Sequence, residues 1–224
     1  VDGTPFERLL EGDEHAGAFE RDERKPSLML YTSGTTGRPK GVPRSHRADR
    51  AAGLAQALQH GLVFGDRTLG VMPLYHTMGM HSLLAMSLVG GSFVCQPRWD
   101  AAVALELIEC ERLTSLYLVP TLFHDVTTND HEVDVTSVES LAYAGAAMPG
   151  ALVRRCLQVF EPRIFVNHYG STEIYTFSVQ RDQAAKAGCA GRSSLNARLR
   201  LVRLDPEAGA DDVVPPENEG EIIC

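Results

Sequence analysis

The stretch Tyr31-Thr32-Ser33-Gly34-Thr35-Thr36-Gly37-Arg38-Pro39-Lys40-Gly41 decides how the rest of the chain reads. It follows Leu28–Thr32, an apolar run that predicts a buried strand. It precedes His46–His60, which predicts a helix with alanines and leucines on one face and arginines on the other. Glycines 34, 37 and 41 let backbone amides turn outward and approach a ligand closely. The hydroxyls of Thr32, Ser33, Thr35 and Thr36 add neutral donors, and Lys40 adds a positive point charge. Such a loop suits a polyphosphate, whose oxygens need many donors at once. A Walker A loop would require Gly-Lys-Ser/Thr where this sequence, counting from Gly34, has Pro39, so phosphate must be held differently. A Gly/Ser/Thr linker is the bland alternative, disfavoured by the strand-to-helix setting and the Pro-Lys-Gly ending. Among the nearby bases Arg38, Lys40, Arg44, Arg47 and Arg50, Lys40 reads as the ligand and most arginines as solvent-facing.

Outward from this loop, short apolar runs alternate with amphipathic stretches. Strands are predicted at Arg67–Met72, Ser92–Gln96, Ser115–Val119, Val138–Ala144 and Ile164–His168. Helices are predicted at Gly79–Val89, from an Asp100 cap to about Arg112, after Pro120, and over Pro149–Phe160. This alternation predicts an α/β layered domain, a largely parallel sheet flanked by helices. After Tyr169 the pattern changes: Phe177–Gln180, Ala197–Leu204 and Glu221–Cys224 read as strands separated by Gly/Pro-rich turns. The expected organisation is an acidic lead-in segment over 1–25, an α/β subdomain over 26–176, and a truncated, small β-rich subdomain over 177–224.

Composition sets the limits. The chain has 224 residues, 44% hydrophobic and 22% charged, with a net charge of −8, so an ordinary globular core is available. The acids concentrate in residues 1–23 and 205–224, leaving the middle mildly basic, and arginine outnumbers lysine 18 to 3. An acidic protein without a basic arm is not expected to bind nucleic acid. No run approaches the length of a membrane span, and Val1-Asp2-Gly3 does not open a signal peptide. The absence of a start methionine suggests a piece of a longer chain. Five widely spaced cysteines without a CxxC pair predict reduced, mostly buried thiols and a cytoplasmic location.

Residues 32–41 match without a gap the Thr-Ser-Gly-Thr-Thr-Gly-x-Pro-Lys-Gly signature of the adenylate-forming superfamily. That superfamily comprises acyl-CoA and aryl-CoA ligases, adenylation domains of peptide synthetases, and luciferase. Further stretches resemble its later motifs in the expected order. They are Pro73-Leu74-Tyr75-His76, Ala144-Gly145-Ala146-Ala147-Met148-Pro149 and Asn167-His168-Tyr169-Gly170-Ser171-Thr172-Glu173. The resemblance runs from about residue 26 to the end of the chain and is nearest to bacterial aryl-CoA ligases of the 4-chlorobenzoate type.

The resemblance implies that a carboxylate attacks the α-phosphorus of ATP, pyrophosphate leaves, and the acyl adenylate passes its acyl group to CoA. It implies that Thr32, Ser33, Gly34, Thr35, Thr36, Gly37 and Lys40 wrap the β- and γ-phosphates, and that Glu173 holds Mg2+. Thr172 would contact the α-phosphate and the reacting carboxylate. Tyr169 would stack on adenine beside Gly145, Ala146 and Ala147, with Asn167 and Gly170 completing the nucleotide site. His76 would stand at the inner end of the acyl pocket with Met80, Tyr143, Ala144 and Gly145. On residue type alone, Glu173 could be a solvated carboxylate, Tyr169 a core tyrosine and His76 a structural histidine. His76 and His81 are too far out of helical phase for a metal pair. His15, His60, His124 and His131 show no constellation.

A pocket of Gly, Ala and Met without fixed charge suits an aromatic or alicyclic acid. The family's ribose-binding aspartate and C-terminal lysine would lie beyond Cys224, so this stretch alone is expected to bind ATP weakly and not to turn over. A homodimer is an open expectation. An adenylation domain loading a carrier protein, a luciferase-like oxygenase and a non-catalytic nucleotide-binding module are the alternatives.

Overall fold

The structure is a computed structural model that describes residues 22–33 and 37–224. Its centre is a seven-stranded sheet built from β3 (Arg67–Gly70), β4 (Ser92–Cys95), β5 (Ser115–Leu118), β6 (Ser140–Tyr143), β7 (Ile164–Tyr169), β8 (Ser178–Gln180) and β9 (Arg192–Ser193). The spatial order is β4-β3-β5-β6-β7-β8-β9. Strands β3 to β7 are parallel, because a helix carries the chain back between most successive strands. Strands β8 and β9 extend the sheet antiparallel from β7. Ahead of the sheet, β1 (Pro26–Thr32) and β2 (Lys40–Ser45) form a separate antiparallel hairpin. Near the chain end β10 (Arg200–Val202) and β11 (Glu221–Ile223) form another.

Five helices follow in the described residues: α1 (His46–His60), α2 (Thr77–Leu88), α3 (Ala101–Cys110), α4 (Pro120–Thr128) and α5 (Gly150–Phe160). Local chemistry fixes their ends. The Ser45 hydroxyl accepts from Ala48 N at 3.2 Å, and Gly61, at φ 66°, closes α1 in the left-handed conformation. Asp100 accepts from the amides of Ala102 and Val103 at the start of α3, and Pro120 opens α4.

The period-two alternation of the central strands divides the core into two layers. Leu116, Leu118, Leu141, Tyr143 and Phe165 face one side, against Ile108 of α3, Phe123 of α4 and Val153 and Phe160 of α5. Tyr117, Ala142, Ile164 and Val166 face the other, against Ala52 of α1 and Met78 of α2. The sheet is thus covered on both faces, as a parallel sheet requires.

The layered, largely parallel α/β architecture read from the sequence is the one observed, with a small antiparallel sheet near the C-terminus. Several local expectations change. The Leu28–Thr32 strand exists, but only Leu30 is buried, because β1 pairs with β2 outside the main sheet. The buried side of α1 carries the expected alanines, Ala52, Ala55 and Ala57, but its leucines are exposed and Asp49, Gln56, Gln59 and His60 are buried with the alanines. Phe177–Gln180 does not stand apart: β8 pairs with β7, so only β10 and β11 make the separate small sheet. One cysteine of five, Cys156, is buried, since Cys95 and Cys110 end an edge strand and a surface helix.

Candidate active site

In the order β4-β3-β5 the chain leaves β3 in one direction and resumes on its other side, a topological switch point. Open α/β sheets place ligands in the crevice beyond the carboxyl ends of the strands at such a point. Here the loops leaving those ends enclose a cavity of about 480 Å³. Met72, Pro73 and His76 come from the loop after β3, Thr77 and Met78 from the start of α2, and Val119 follows β5. Ala144 and Gly145 follow β6, and Gly170, Ser171 and Thr172 follow β7. The floor is formed by Tyr117, His168 and Tyr175. None of these described lining residues carries a fixed charge, so the cavity suits an apolar body with a polar end.

Two glycines shape the walls. Gly145 sits at φ 85°, where a side chain is strained, and its ideal Cβ would meet Val119 Cγ1 at 3.4 Å. At Gly170 an added Cβ would lie 2.0 Å from the Tyr175 carbonyl oxygen, so the loop folds back on itself only with glycine there. Ser171 N donates to Ile174 O at 2.9 Å, and Ile174 N donates to the Ser171 hydroxyl at 3.2 Å, closing a tight turn. That turn leaves Thr172 half-buried at the cavity and Glu173 exposed. Among the described residues the Glu173 carboxylate has no salt-bridge partner. Nor does any group of three or more metal-type ligands gather there. A single open carboxylate fits Mg2+, which keeps its waters and shares ligands with substrate phosphates, better than a closed protein cage.

The β1–β2 hairpin is closed at its base by Thr32 facing Lys40 across the ladder. Ser33, Gly37, Arg38, Pro39 and Lys40 are exposed, and Gly37 adopts φ 79°. Gly34, Thr35 and Thr36 lie outside the described residues. Arg44, at the far end of β2, is buried rather than solvent-facing, and its Nη1 donates to the Glu173 carbonyl at 3.3 Å. Among the described residues this is the only hydrogen bond from the hairpin to the Gly170–Thr176 loop.

Beneath the cavity lies a buried polar network. The Tyr175 hydroxyl donates to Gln56 Oε1 at 2.6 Å, which leaves the Tyr117 hydroxyl to donate to Tyr175 at 3.2 Å. His168 Nε2 is 2.7 Å from His60 Nε2, and His168 Nδ1 is 3.2 Å from the Thr176 hydroxyl. Burial drives the His168 pKa down to about 3 and lowers that of His60 well below the ordinary histidine range. Burial raises the Tyr117 and Tyr175 hydroxyls. The floor is therefore neutral near pH 7.

The structure brings His76, Ala144, Gly145, Gly170 and Thr172 to one cavity, with Glu173 beside Thr172. Ala146 and Ala147 are exposed just beyond Gly145, and the Tyr169 ring is 47% exposed, 5.7 Å from that of Phe177. Tyr143 and Asn167 are not brought there. Strand alternation turns both to the opposite face, where the Tyr143 hydroxyl donates to Gln183 Oε1 and Asn167 Nδ2 donates to the Cys189 carbonyl. Met80 also lies outside the lining, whereas Met78, earlier in the same helix turn, is part of it. Sequence reasoning missed Tyr117, His168, Tyr175 and the pairing of His60. Counting in twos along β6 and β7 from Ala144 would have found His168.

The fold thus combines a largely parallel sheet, a glycine- and hydroxyl-rich hairpin, an exposed carboxylate and an uncharged cavity at its switch point. The AMP-binding enzyme family model matches residues 2–224, and the chain belongs to that family. It is 35% identical over 199 residues to the 4-chlorobenzoate–CoA ligase of Pseudomonas sp. (strain CBS-3), covering 87% of this chain and 37% of that protein. It is 32% identical to the indoleacetate–CoA ligase of Aromatoleum aromaticum, covering 97% of this chain and 43% of that protein. The inhibitor-bound N-terminal domain of FACL13 from Mycobacterium tuberculosis superposes with a TM-score of 0.82 at 27% identity, over 96% of this chain and 54% of that one. The chain thus spans well under two thirds of these curated relatives.

Proposed function

We propose that the polypeptide carrying this sequence activates an aromatic or alicyclic carboxylic acid with ATP and Mg2+ and transfers the acyl group to CoA. The carrying observation is the convergence of His76, Gly145 and Thr172 on an uncharged cavity beside Glu173 at the switch point. ATP, when bound, supplies the electrophilic α-phosphorus, and Mg2+ offsets charge on its phosphates. Thr172, on a turn pinned by Gly170, is placed to donate its hydroxyl where a carboxylate and an α-phosphate would meet. Glu173 is the residue for the cation, and Lys40 with the Thr32–Gly37 loop is the cradle for the outer phosphates. Tyr169 offers an exposed ring to adenine, with Gly145, Ala146 and Ala147 beside it.

The acid occupies the cavity with its ring toward Met78, Val119 and Ala144, and His76 borders the acyl group. In the first half-reaction a carboxylate oxygen forms the bond to the α-phosphorus as the bond to pyrophosphate breaks. In the second, the CoA sulfur bonds to the acyl carbon, AMP leaves, and the thiol proton passes to solvent.

An aromatic acid is supported by the cavity and by the printed names of the relatives at 30% identity or more. They include 4-chlorobenzoate–CoA and indoleacetate–CoA ligases and a feruloyl-CoA synthase. A cytoplasmic setting accords with five cysteines that form no disulfide. Pyrophosphate release across a panel of carboxylic acids, on the longest natural polypeptide containing this sequence, tests the proposal. Benzoate-type acids should support release with CoA as sole acceptor. Preference for long-chain fatty acids would overturn the substrate class, and release without CoA ester formation would overturn the acceptor.

A further inference from the structure

Arg44 belongs to a basic run that reads as solvated, yet its side chain is 7% exposed. Burying a guanidinium is costly unless its donors find acceptors, and here they find two from different elements. Nε donates to Asp49 Oδ1 at 2.5 Å, and Nη1 donates to the Glu173 carbonyl at 3.3 Å. Asp49, in the first turn of α1, is itself held: Ser27 of β1 donates to its other oxygen, and His81 Nε2 of α2 lies 3.6 Å away. Burial alone would raise the Asp49 carboxyl, but the facing His81, Ser27 and Arg44 outweigh it and bring the pKa down to about 2, so the pair stays charged.

A buried ion pair gains little net stability over apolar filling of the same space, so its main consequence is positional. What it positions is specific. Arg44 lies near the end of the strand that leaves the phosphate loop, and Glu173 lies midway along the loop that leaves β7. Just past Glu173, Tyr175 is clamped between the His81 ring, 3.9 Å away by centroid, and Gln56. The Glu173 backbone is therefore held at its carbonyl and again at Tyr175, from side chains of β2, α1 and α2.

We propose that Arg44, oriented by Asp49, is a positioning residue. It sets the register between the phosphate hairpin and the Glu173 carboxylate, so that both meet one Mg2+–triphosphate. This inference rests on the proposed function.

The test uses Arg44→Lys, which keeps the interior cation for Asp49 but cannot span both acceptors with a rigid fork. Calorimetric binding of a non-hydrolysable ATP analogue is measured with excess Mg2+ and in EDTA, on the longest natural polypeptide containing this sequence. With Mg2+ the variant should lose about tenfold in affinity, and in EDTA roughly twofold or less. In a Glu173→Gln background Arg44→Lys should cause no further loss. Should Arg44→Lys fail to fold, Arg44→Met with Asp49→Leu, which removes both buried charges, carries the same comparison. Equal losses with and without Mg2+, or losses that add to Glu173→Gln, would show a general structural role and overturn the inference. An unaltered protein without Mg2+-dependent binding would remove the proposed function and this inference with it. Binding that ignores Arg44 would remove the inference alone.

Discussion

His60 and His168 meet Nε2 to Nε2 at 2.7 Å beneath the candidate site, one from the end of α1 and the other from β7. Two imidazoles at that distance need one proton between them, so one ring donates and the other accepts. Protonating either would set like charges against each other in a buried space. Both rings are lowered, first by burial, with His168 at about 3.

Their linkage to stability follows from the sign of the shift. Unfolded histidines titrate near 6.5, so below that pH the unfolded chain binds protons that the folded chain refuses, and stability falls as pH falls. Unfolding free energies from denaturant titrations should therefore drop between pH 6.5 and 4, by up to about 1.4 kcal/mol per pH unit for each histidine. His168→Gln should flatten this slope by roughly one proton. An unchanged slope would show that the pair does not refuse protons.

Lys40 lies exposed at the base of the hairpin, opposite Thr32, so its removal should spare the fold. Lys40→Met is expected to leave the melting temperature within about 1 °C, a surface change far from core packing. The same change should weaken ATP-analogue binding by roughly 10- to 100-fold, the loss of one charge-assisted contact. Titration by calorimetry checks both halves.

Gly170 has no room for a methyl group, because its Cβ would lie 2.0 Å from the Tyr175 carbonyl oxygen. Gly170→Ala must shift the turn that carries Thr172 and Glu173. The expected cost is about 1–3 kcal/mol in stability, with Mg2+-dependent nucleotide binding lost more steeply than the fold. Chemical denaturation and analogue binding on the same sample separate the two effects.

Ala144 lines the cavity without belonging to the phosphate hairpin. Ala144→Phe should fill the space assigned to the acid ring. Acid-dependent pyrophosphate release should fall at least about tenfold while binding of the ATP analogue persists, since a misfitted ring loses its packing contribution. Unchanged release would place the acid elsewhere, and loss of both together would show a general disturbance of the site.

Much of the fold was legible because each element carried its own local signal. Asp100 and Pro120 announced helix starts, and the runs at 115–119 and 164–168 announced central strands. The helix over His46–His60 was legible in extent, and in its buried alanines and exposed arginines, but not in its leucines. Its exposed Leu54 and Leu58 look like core residues by type, while its buried Gln56 and His60 look like surface ones. Type fails there because the polar side chains find partners in Tyr175 and His168, from distant parts of the chain. At the acyl pocket, adjacency in a motif misled for Tyr143, which sits beside Ala144 in sequence, yet strand alternation sends it to the opposite face.

Taken alone, the residues determined the alternating α/β order, the glycine- and hydroxyl-rich loop before Lys40, and the types of group available for phosphate, cation and acid. These depend on periodicity, turn chemistry and charge, which are properties of short segments. Only the tertiary structure decided that Arg44 goes inward to Asp49 and Glu173, that His168 rather than Asn167 reaches the cavity, and that the loops after β3, β5, β6 and β7 share one crevice. Those outcomes depend on which distant acceptor meets which donor when the sheet assembles, and no local pattern along the chain carries that information.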